Sequence, residues 1–250
     1  MSPTARKRRN RWTSDFLRFE EWEPIYIEIL SEFGFSREMD EEAALLLSRL
    51  APVERLSDEH TLSELIDEKV TVIGDAPGLA DQIVEFPIDG TVIAADGATS
   101  VCLEAGVLPQ IVVTDLDGLV PDQIEANRRG SLAIIHAHGD NIHALRRYVP
   151  RFEGKMMITT QSKPFDSLFN WGGFTDGDRA VFMAIHYGAR SIDLMGFDFD
   201  KVGYLTFCAE AGMGEGNLDR IEVLGERVRD HVRQYRPHDN IEKQYKWLSR

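Results

Sequence analysis

Six times along the chain a short apolar run breaks off into a turn that carries an acid, a histidine or a hydroxyl. The runs and their endings span residues 70–75, 91–97, 111–118, 132–140, 156–161 and 191–198. Each run is nearly continuous in Val, Ile, Leu, Ala and Met, as expected of strands whose two faces are both covered by helices. Helical patterns fall between them at Pro121–Asn127, Asn141–Tyr148 and Asp176–Tyr187. Strands of five to eight residues alternating with helices give a βαβ rhythm. The expected fold is α/β, a three-layer, Rossmann-like parallel sheet of about six strands. In such sheets ligands bind outside the carboxyl ends of the strands, so the polar endings should share one crevice.

The region before residue 69 follows a different pattern. Trp22, Ile25, Tyr26 and Ile29, then Leu45, Leu46 and Leu50, recur at helical spacing. Pro52 and the polar run Ser57–His60 divide that stretch. Beyond Asp200 the pattern loosens into Gly203 and a Gly-rich run at 212–216, followed by a charged amphipathic stretch. The organisation expected is a helical N-terminal region over 1–68, an α/β catalytic core over 69–205, and a Gly-rich loop with a helical C-terminal tail over 206–250.

With 250 residues and 43% hydrophobic content the chain can bury a sizeable core. A net charge of -14 argues against a nucleic-acid surface, where Lys and Arg must neutralise phosphates. The basic cluster at Arg6–Arg9 reads as a solvated tail, because no apolar segment follows it before Asp15. No stretch is long and apolar enough to span a bilayer. Cys102 and Cys208 are far apart and in no metal-binding spacing, so a reducing cytoplasm is expected. A homodimer stays open.

The chemistry concentrates at Ile111-Val-Val-Thr-Asp115-Leu-Asp117-Gly118. On an extended chain Asp115 and Asp117 would share a face roughly 6 to 7 Å apart. They would repel by roughly 2.5 kcal/mol at an effective dielectric near 20, a cost that a bound cation turns into attraction. Asp96, before Gly97 at the end of the neighbouring run, can join them. Oxygen ligands of this kind suit a hard ion such as magnesium better than zinc. His136, His138 and Asp140 end the next strand, where a histidine could meet a phosphate and Asp140 could cap the following helix.

A second candidate is Asn170-Trp-Gly-Gly173-Phe-Thr175-Asp176-Gly-Asp178-Arg179, which leads into a helix. Thr175 and Asp178 have capping-box spacing, which would satisfy free backbone N–H groups without a ligand. Against that, the glycines permit close backbone approach, the helix N-terminus attracts phosphate, and Arg179 offers a forked donor. The chain has no G-x-x-x-x-G-K-[ST] loop, which excludes a P-loop kinase.

The ordered series Ala95-Asp96-Gly97-Ala98, Val113-Thr-Asp-Leu-Asp-Gly118, His136-Ala-His-Gly-Asp-Asn141, Thr159-Thr-Gln161 and Gly173-Phe-Thr-Asp-Gly-Asp-Arg-Ala180 resembles the archaeal-type 6-hydroxymethyl-7,8-dihydropterin diphosphokinases. Those enzymes are related in fold to thiamine pyrophosphokinase, and the likeness covers roughly residues 70 to 200. It departs at the first loop, where this chain has Gly74-Asp-Ala-Pro-Gly-Leu79. The resemblance implies transfer of diphosphate from ATP to a reduced pterin alcohol, with magnesium held by Asp96, Asp115, Asp117 and Asp176. Arg179 would carry phosphate charge, and Gly97, Gly173, Thr175 and Asp178 would line the nucleotide. A pterin needs a flat stacking surface and paired donors and acceptors, for which Trp171, Asn170, His138, Gln161, Asp140 and Phe174 are the candidates. Three other readings stay open: a thiamine pyrophosphokinase, a haloacid-dehalogenase-type phosphatase with Asp115 as nucleophile, and a nucleotide-binding module without turnover.

Overall fold

Among the described residues seven strands, all parallel, form one sheet in the order β6-β5-β4-β3-β2-β1-β7. They are β1 (Lys69–Ile73), β2 (Thr91–Ala95), β3 (Ile111–Thr114), β4 (Leu132–Ala137), β5 (Met156–Thr160), β6 (Leu168–Phe169) and β7 (Ser191–Met195). The computed structural model describes residues 19–197. Six of the strands are those expected from the apolar runs; the seventh, β6, is only two residues long and carries no periodic signal. The loop and helices expected after Asp200, the Arg6–Arg9 cluster and Cys208 lie outside the described residues.

Among the described residues eight α-helices accompany the sheet: α1 (Phe19–Phe33), α2 (Arg37–Leu50), α3 (Glu59–Leu65), α4 (Leu79–Glu85), α5 (Ala98–Glu104), α6 (Val120–Arg128), α7 (Ile142–Tyr148) and α8 (Asp176–His186). Side chains alternate across a strand, so each strand feeds two cores. On one face Ala133, Ile135, Ala137, Met156 and Ile158 pack with Ala43, Ala44 and Leu47 of α2 and Leu145 of α7. On the other, Ile93, Val113, Ile134 and Met157 pack with Ala180, Val181 and Ala184 of α8. The N-terminal helices are therefore part of the layering. Ala43, Ala44 and Leu47 are fully buried and α2 closes the sheet over β4 and β5. Two breaks in that region match their sequence signals. Asp58 caps α3, accepting from the Thr61 N–H at 3.2 Å, and Pro52 opens a short 3-10 turn.

The chain steps across the sheet from β1 to β6 and then returns through α8 to place β7 beside β1. Right-handed crossovers require the return helix to lie on the face opposite α4 to α7. Its path lays α8 against β1, β2 and β3, with its N-terminus at the C-terminal tip of β3. Residues 61 positions apart, Asp115 and Asp176, meet as a consequence. Among the described residues no helix is long and apolar enough to cross a membrane.

Candidate active site

The site begins at the tips of β2 and β3. Asp96 and Leu116 both sit at positive φ, 40° and 72°, and β3 ends at Thr114. The tip is therefore a tight turn, not the extended segment expected from residues 111–118. The turn draws one carboxylate oxygen from each of Asp96, Asp115 and Asp117 to within 4.8 Å of one another. A leucine in the left-handed region is strained. Here Thr114 Oγ1 offsets the strain by accepting the Leu116 N–H at 2.8 Å. Gly118 is required for a different reason: a Cβ there would sit 2.1 Å from Asp96 Oδ2.

Two of the three acids, Asp96 and Asp115, are held by their surroundings. Asp96 Oδ1 accepts from the Thr114 hydroxyl at 2.6 Å and from the Gln123 amide at 2.8 Å. Asn141 donates to the carbonyls of Asp115 and His136, tying the β3 tip to the β4 tip. Asp140 N–H donates to His138 Nδ1, which leaves Nε2 to donate to Asp115 Oδ2, 3.4 Å away. Asp115 N–H donates to Asp176 Oδ2 at 3.0 Å, and the other Asp176 oxygen pairs with Arg179.

Electrostatics show the cluster under tension. Burial and the Asp115 charge push Asp96 up to about 6. Burial, then Asp115 and Asp96, push Asp117 up to about 11. Burial raises Asp115 too, but the His138 hydrogen bond and charge, with Asp117 and Arg179, outweigh it and hold the group at about 2. Burial and Asp115 raise Asp176 well above the ordinary carboxylate value, against the pull of Arg179. Buried His136 is held well below its usual value, first by desolvation and then by Arg179, so it is a neutral group bonded to Thr159.

Asp96 Oδ2 and Asp115 Oδ1 are buried and have no hydrogen-bond partner among the described residues. Buried oxygens without donors are costly unless something positive meets them. Three carboxylates at this separation, two of them with an unpartnered oxygen, fit a hard divalent cation. Asp176 stands outside that trio, with both of its oxygens engaged by Arg179 and the Asp115 N–H.

A cavity of about 410 Å³ opens beside the trio. Asp115, Asp117, His138, Asp140, Gln161 and Arg179 line it, as do Phe35, Phe174 and Tyr148. Other expected residues have structural duties. Asp178 accepts the N–H groups of Phe174, Thr175 and Arg179 and the Thr175 hydroxyl, completing the capping box of α8. Asn170 donates to the carbonyls of Gln161 and Ser162 and accepts from Gly172. Trp171 is buried, stacked on Phe169 at 5.4 Å and packed among core residues of β1 to β5 and α8. Gly173, at φ 90°, allows the chain to pass against Arg179, whose Cα would lie 2.6 Å from a Cβ at that position. Gly97 lies at the end of β2, where a Cβ would meet Asp75.

Sequence reasoning missed Asp40. It is 2% exposed on α2 and accepts from Tyr26 Oη at 2.7 Å, Gly139 N at 2.7 Å and Gln161 Nε2 at 2.9 Å. One carboxylate thus fastens both N-terminal helices to the tips of β4 and β5. Its only signal was an acid in the first turn of an amphipathic helix, which ordinarily faces water. Phe35 was missed as well, because it belongs to the turn between α1 and α2.

Comparison with known proteins agrees with this arrangement. A family model described as 6-hydroxymethylpterin diphosphokinase MptE-like matches residues 46–203. The chain is 47% identical over 189 residues to a protein of Methanothermobacter thermautotrophicus, covering 72% of this chain and 78% of the other. It is 44% identical over 189 residues to one of Pyrococcus furiosus, covering 74% and 80%. A protein of Methanocaldococcus jannaschii is 35% identical over 191 residues, covering 72% and 79%. All three relatives are named 6-hydroxymethyl-7,8-dihydropterin pyrophosphokinase. With the acids of β2 and β3 joined by the start of α8 inside the matched segment, this chain belongs to the MptE-like 6-hydroxymethylpterin diphosphokinase family.

Proposed function

We propose that this protein transfers diphosphate from ATP to the hydroxymethyl group of 6-hydroxymethyl-7,8-dihydropterin, releasing AMP, in the biosynthesis of a folate-type or methanopterin-type cofactor. The observation that carries the reading is the convergence of Asp96, Asp115 and Asp117 beside a cavity of about 410 Å³, in a chain of this family. The alcohol oxygen attacks the β-phosphorus of ATP, the bond from that phosphorus to the oxygen of the α-phosphate breaks, and AMP leaves.

Asp96, Asp115 and Asp117 would hold magnesium. When bound, that ion neutralises phosphate charge and polarises the reacting phosphoryl group. The residues around the acids do the positioning. Thr114 and Gln123 fix Asp96, His138 holds one oxygen of Asp115, and Asn141 locks the tip that carries Asp115. Because phosphoryl transfer of this kind rests on positioning and electrostatics, the reading assigns no dedicated general base. Arg179, lining the cavity while tied to Asp176, holds positive charge in place there. A cytoplasmic setting is part of the same proposal.

The test is incubation with ATP, magnesium and a panel of alcohols that includes the reduced hydroxymethylpterin and thiamine, with nucleotides separated by chromatography. AMP formed only with the pterin alcohol supports the reading. ADP as the product, or AMP formed with thiamine instead, overturns it.

A further inference from the structure

The cavity has an aromatic wall that comes from two distant parts of the chain. Gly34, at φ 70°, ends α1, and the Phe35 N–H donates back to the Leu30 carbonyl at 3.0 Å. This is a helix closure of the kind that glycine makes accessible. Ser36 then caps α2, accepting from Met39 N. Phe35 is therefore fixed by backbone bonding on both sides. Phe174 is fixed just as firmly before α8, since Asp178 accepts its N–H at 3.0 Å and Arg179 donates to its carbonyl at 2.8 Å.

Phe33 backs both rings. It stacks on Phe35 at 5.4 Å with planes 12° apart and on Phe174 at 5.3 Å with planes 28° apart. Phe35 and Phe174 themselves are 6.5 Å apart and tilted by 31°. Both line the cavity, so its wall is an aromatic surface held by three packed rings. The polar lining sets Asp115, Asp117 and Asp140 beside His138, His143 and one guanidinium, Arg179, that is already bonded to Asp176 and the Phe174 carbonyl. A triphosphate would find no uncommitted Lys or Arg among these lining residues, whereas a flat uncharged heterocycle with N–H donors would find both a stacking face and acceptors.

We infer that the Phe35–Phe174 wall is the binding surface for the acceptor's bicyclic ring, and that Phe35, delivered by the turn between α1 and α2, is a specificity-determining residue. This rests on the proposed reaction and extends it. The ring stacks on the wall with its hydroxymethyl group directed at Asp115 and Asp117. The acidic edge at Asp140 accepts its N–H donors, the β-phosphate meets the hydroxymethyl group beside Asp115 and Asp117, and the rest of the nucleotide lies outside this cavity. The N-terminal helices thereby acquire a role in choosing the acceptor, and Trp171, buried in the core, has none.

The test uses the full chain and two variants, Phe35→Ala and Phe35→Leu, each checked by thermal melting. Binding of 6-hydroxymethyl-7,8-dihydropterin is measured by equilibrium dialysis in EDTA without ATP, and KM is measured separately for the acceptor and for ATP. Loss of one stacking ring should weaken acceptor binding by about tenfold and raise the acceptor KM in parallel. Phe35→Leu, which keeps the bulk and loses the flat face, should fall between the wild type and Phe35→Ala, and the KM for ATP should not change. Unchanged acceptor binding in both variants overturns the inference, as does a raised KM for ATP, which would give the wall to the nucleotide base. Wild-type protein that binds the pterin in EDTA and forms no AMP would sink the proposed reaction and leave this site standing.

Discussion

Replacing Asp117 by Asn should stabilise the metal-free protein while abolishing diphosphate transfer. In the folded chain Asp117 is pushed up to about 11 from an ordinary 3.8, by burial and by the charges of Asp115 and Asp96. The sign follows from proton counting. Between those two values the folded state binds a proton that the unfolded state has released, so stability falls as pH rises. Each pH unit removes about 1.4 kcal/mol, and from about pH 4.5 to about pH 7.5 the loss reaches about 4 kcal/mol. Asp96, raised to about 6, adds to the slope below that value. Asn carries no such proton, so the variant should escape most of this loss near neutral pH and converge with the wild type near pH 4. For a chain of this size the gap corresponds to about 2–4 °C per kcal/mol. Thermal unfolding in EDTA across this pH range reads it directly, and added magnesium should then raise the melting temperature of the wild type and not of the variant. A wild type as stable at pH 7.5 as at pH 4.5 in EDTA, or a variant no more stable than it at neutral pH, would refute the argument that the three acids oppose one another.

Other outcomes follow from single contacts. Gly118→Ala drives a methyl group to 2.1 Å from Asp96 Oδ2, so it should cost about 1–3 kcal/mol and reduce transfer sharply, measured by melting and AMP formation. Thr175→Ala removes the cap of α8 and should cost about 1 kcal/mol while the KM for ATP stays unchanged; a large rise in that KM would instead assign the Thr175 hydroxyl to the nucleotide. Asp40→Ala leaves three donors without their acceptor and should cost about 3 kcal/mol or more by denaturant unfolding.

The sheet was legible because strands covered on both faces are nearly continuously apolar, and the runs at 70–73, 91–95, 111–114, 132–137, 156–160 and 191–195 all became strands. The acid endings were legible for a related reason, since parallel topology puts every strand terminus on one edge. What the linear chain hides is direction. Trp171 and Phe174, three residues apart beside two glycines, look alike as stacking groups, yet one turns into the core and the other into the cavity. Asp176 and Asp178 share a helical turn, and the capping geometry takes Asp178 while Asp176 turns toward Asp115. Asp40 and Phe35 could not be read at all, because Asp40 matters only where α2 packs against β4 and β5, and Phe35 only where its turn meets Phe174, both far along the chain. The tip at Leu116 escaped for a physical reason too: a positive φ at leucine is disfavoured locally and persists only because the surrounding hydrogen bonds hold it.

The most direct test of the account is a crystal of the protein grown with manganese and a non-hydrolysable ATP analogue, with anomalous scattering recorded at the manganese edge. An ion is expected about 2.0–2.3 Å from oxygens of Asp96, Asp115 and Asp117. Saturating manganese with no anomalous density among those three carboxylates, or density only elsewhere, would contradict it.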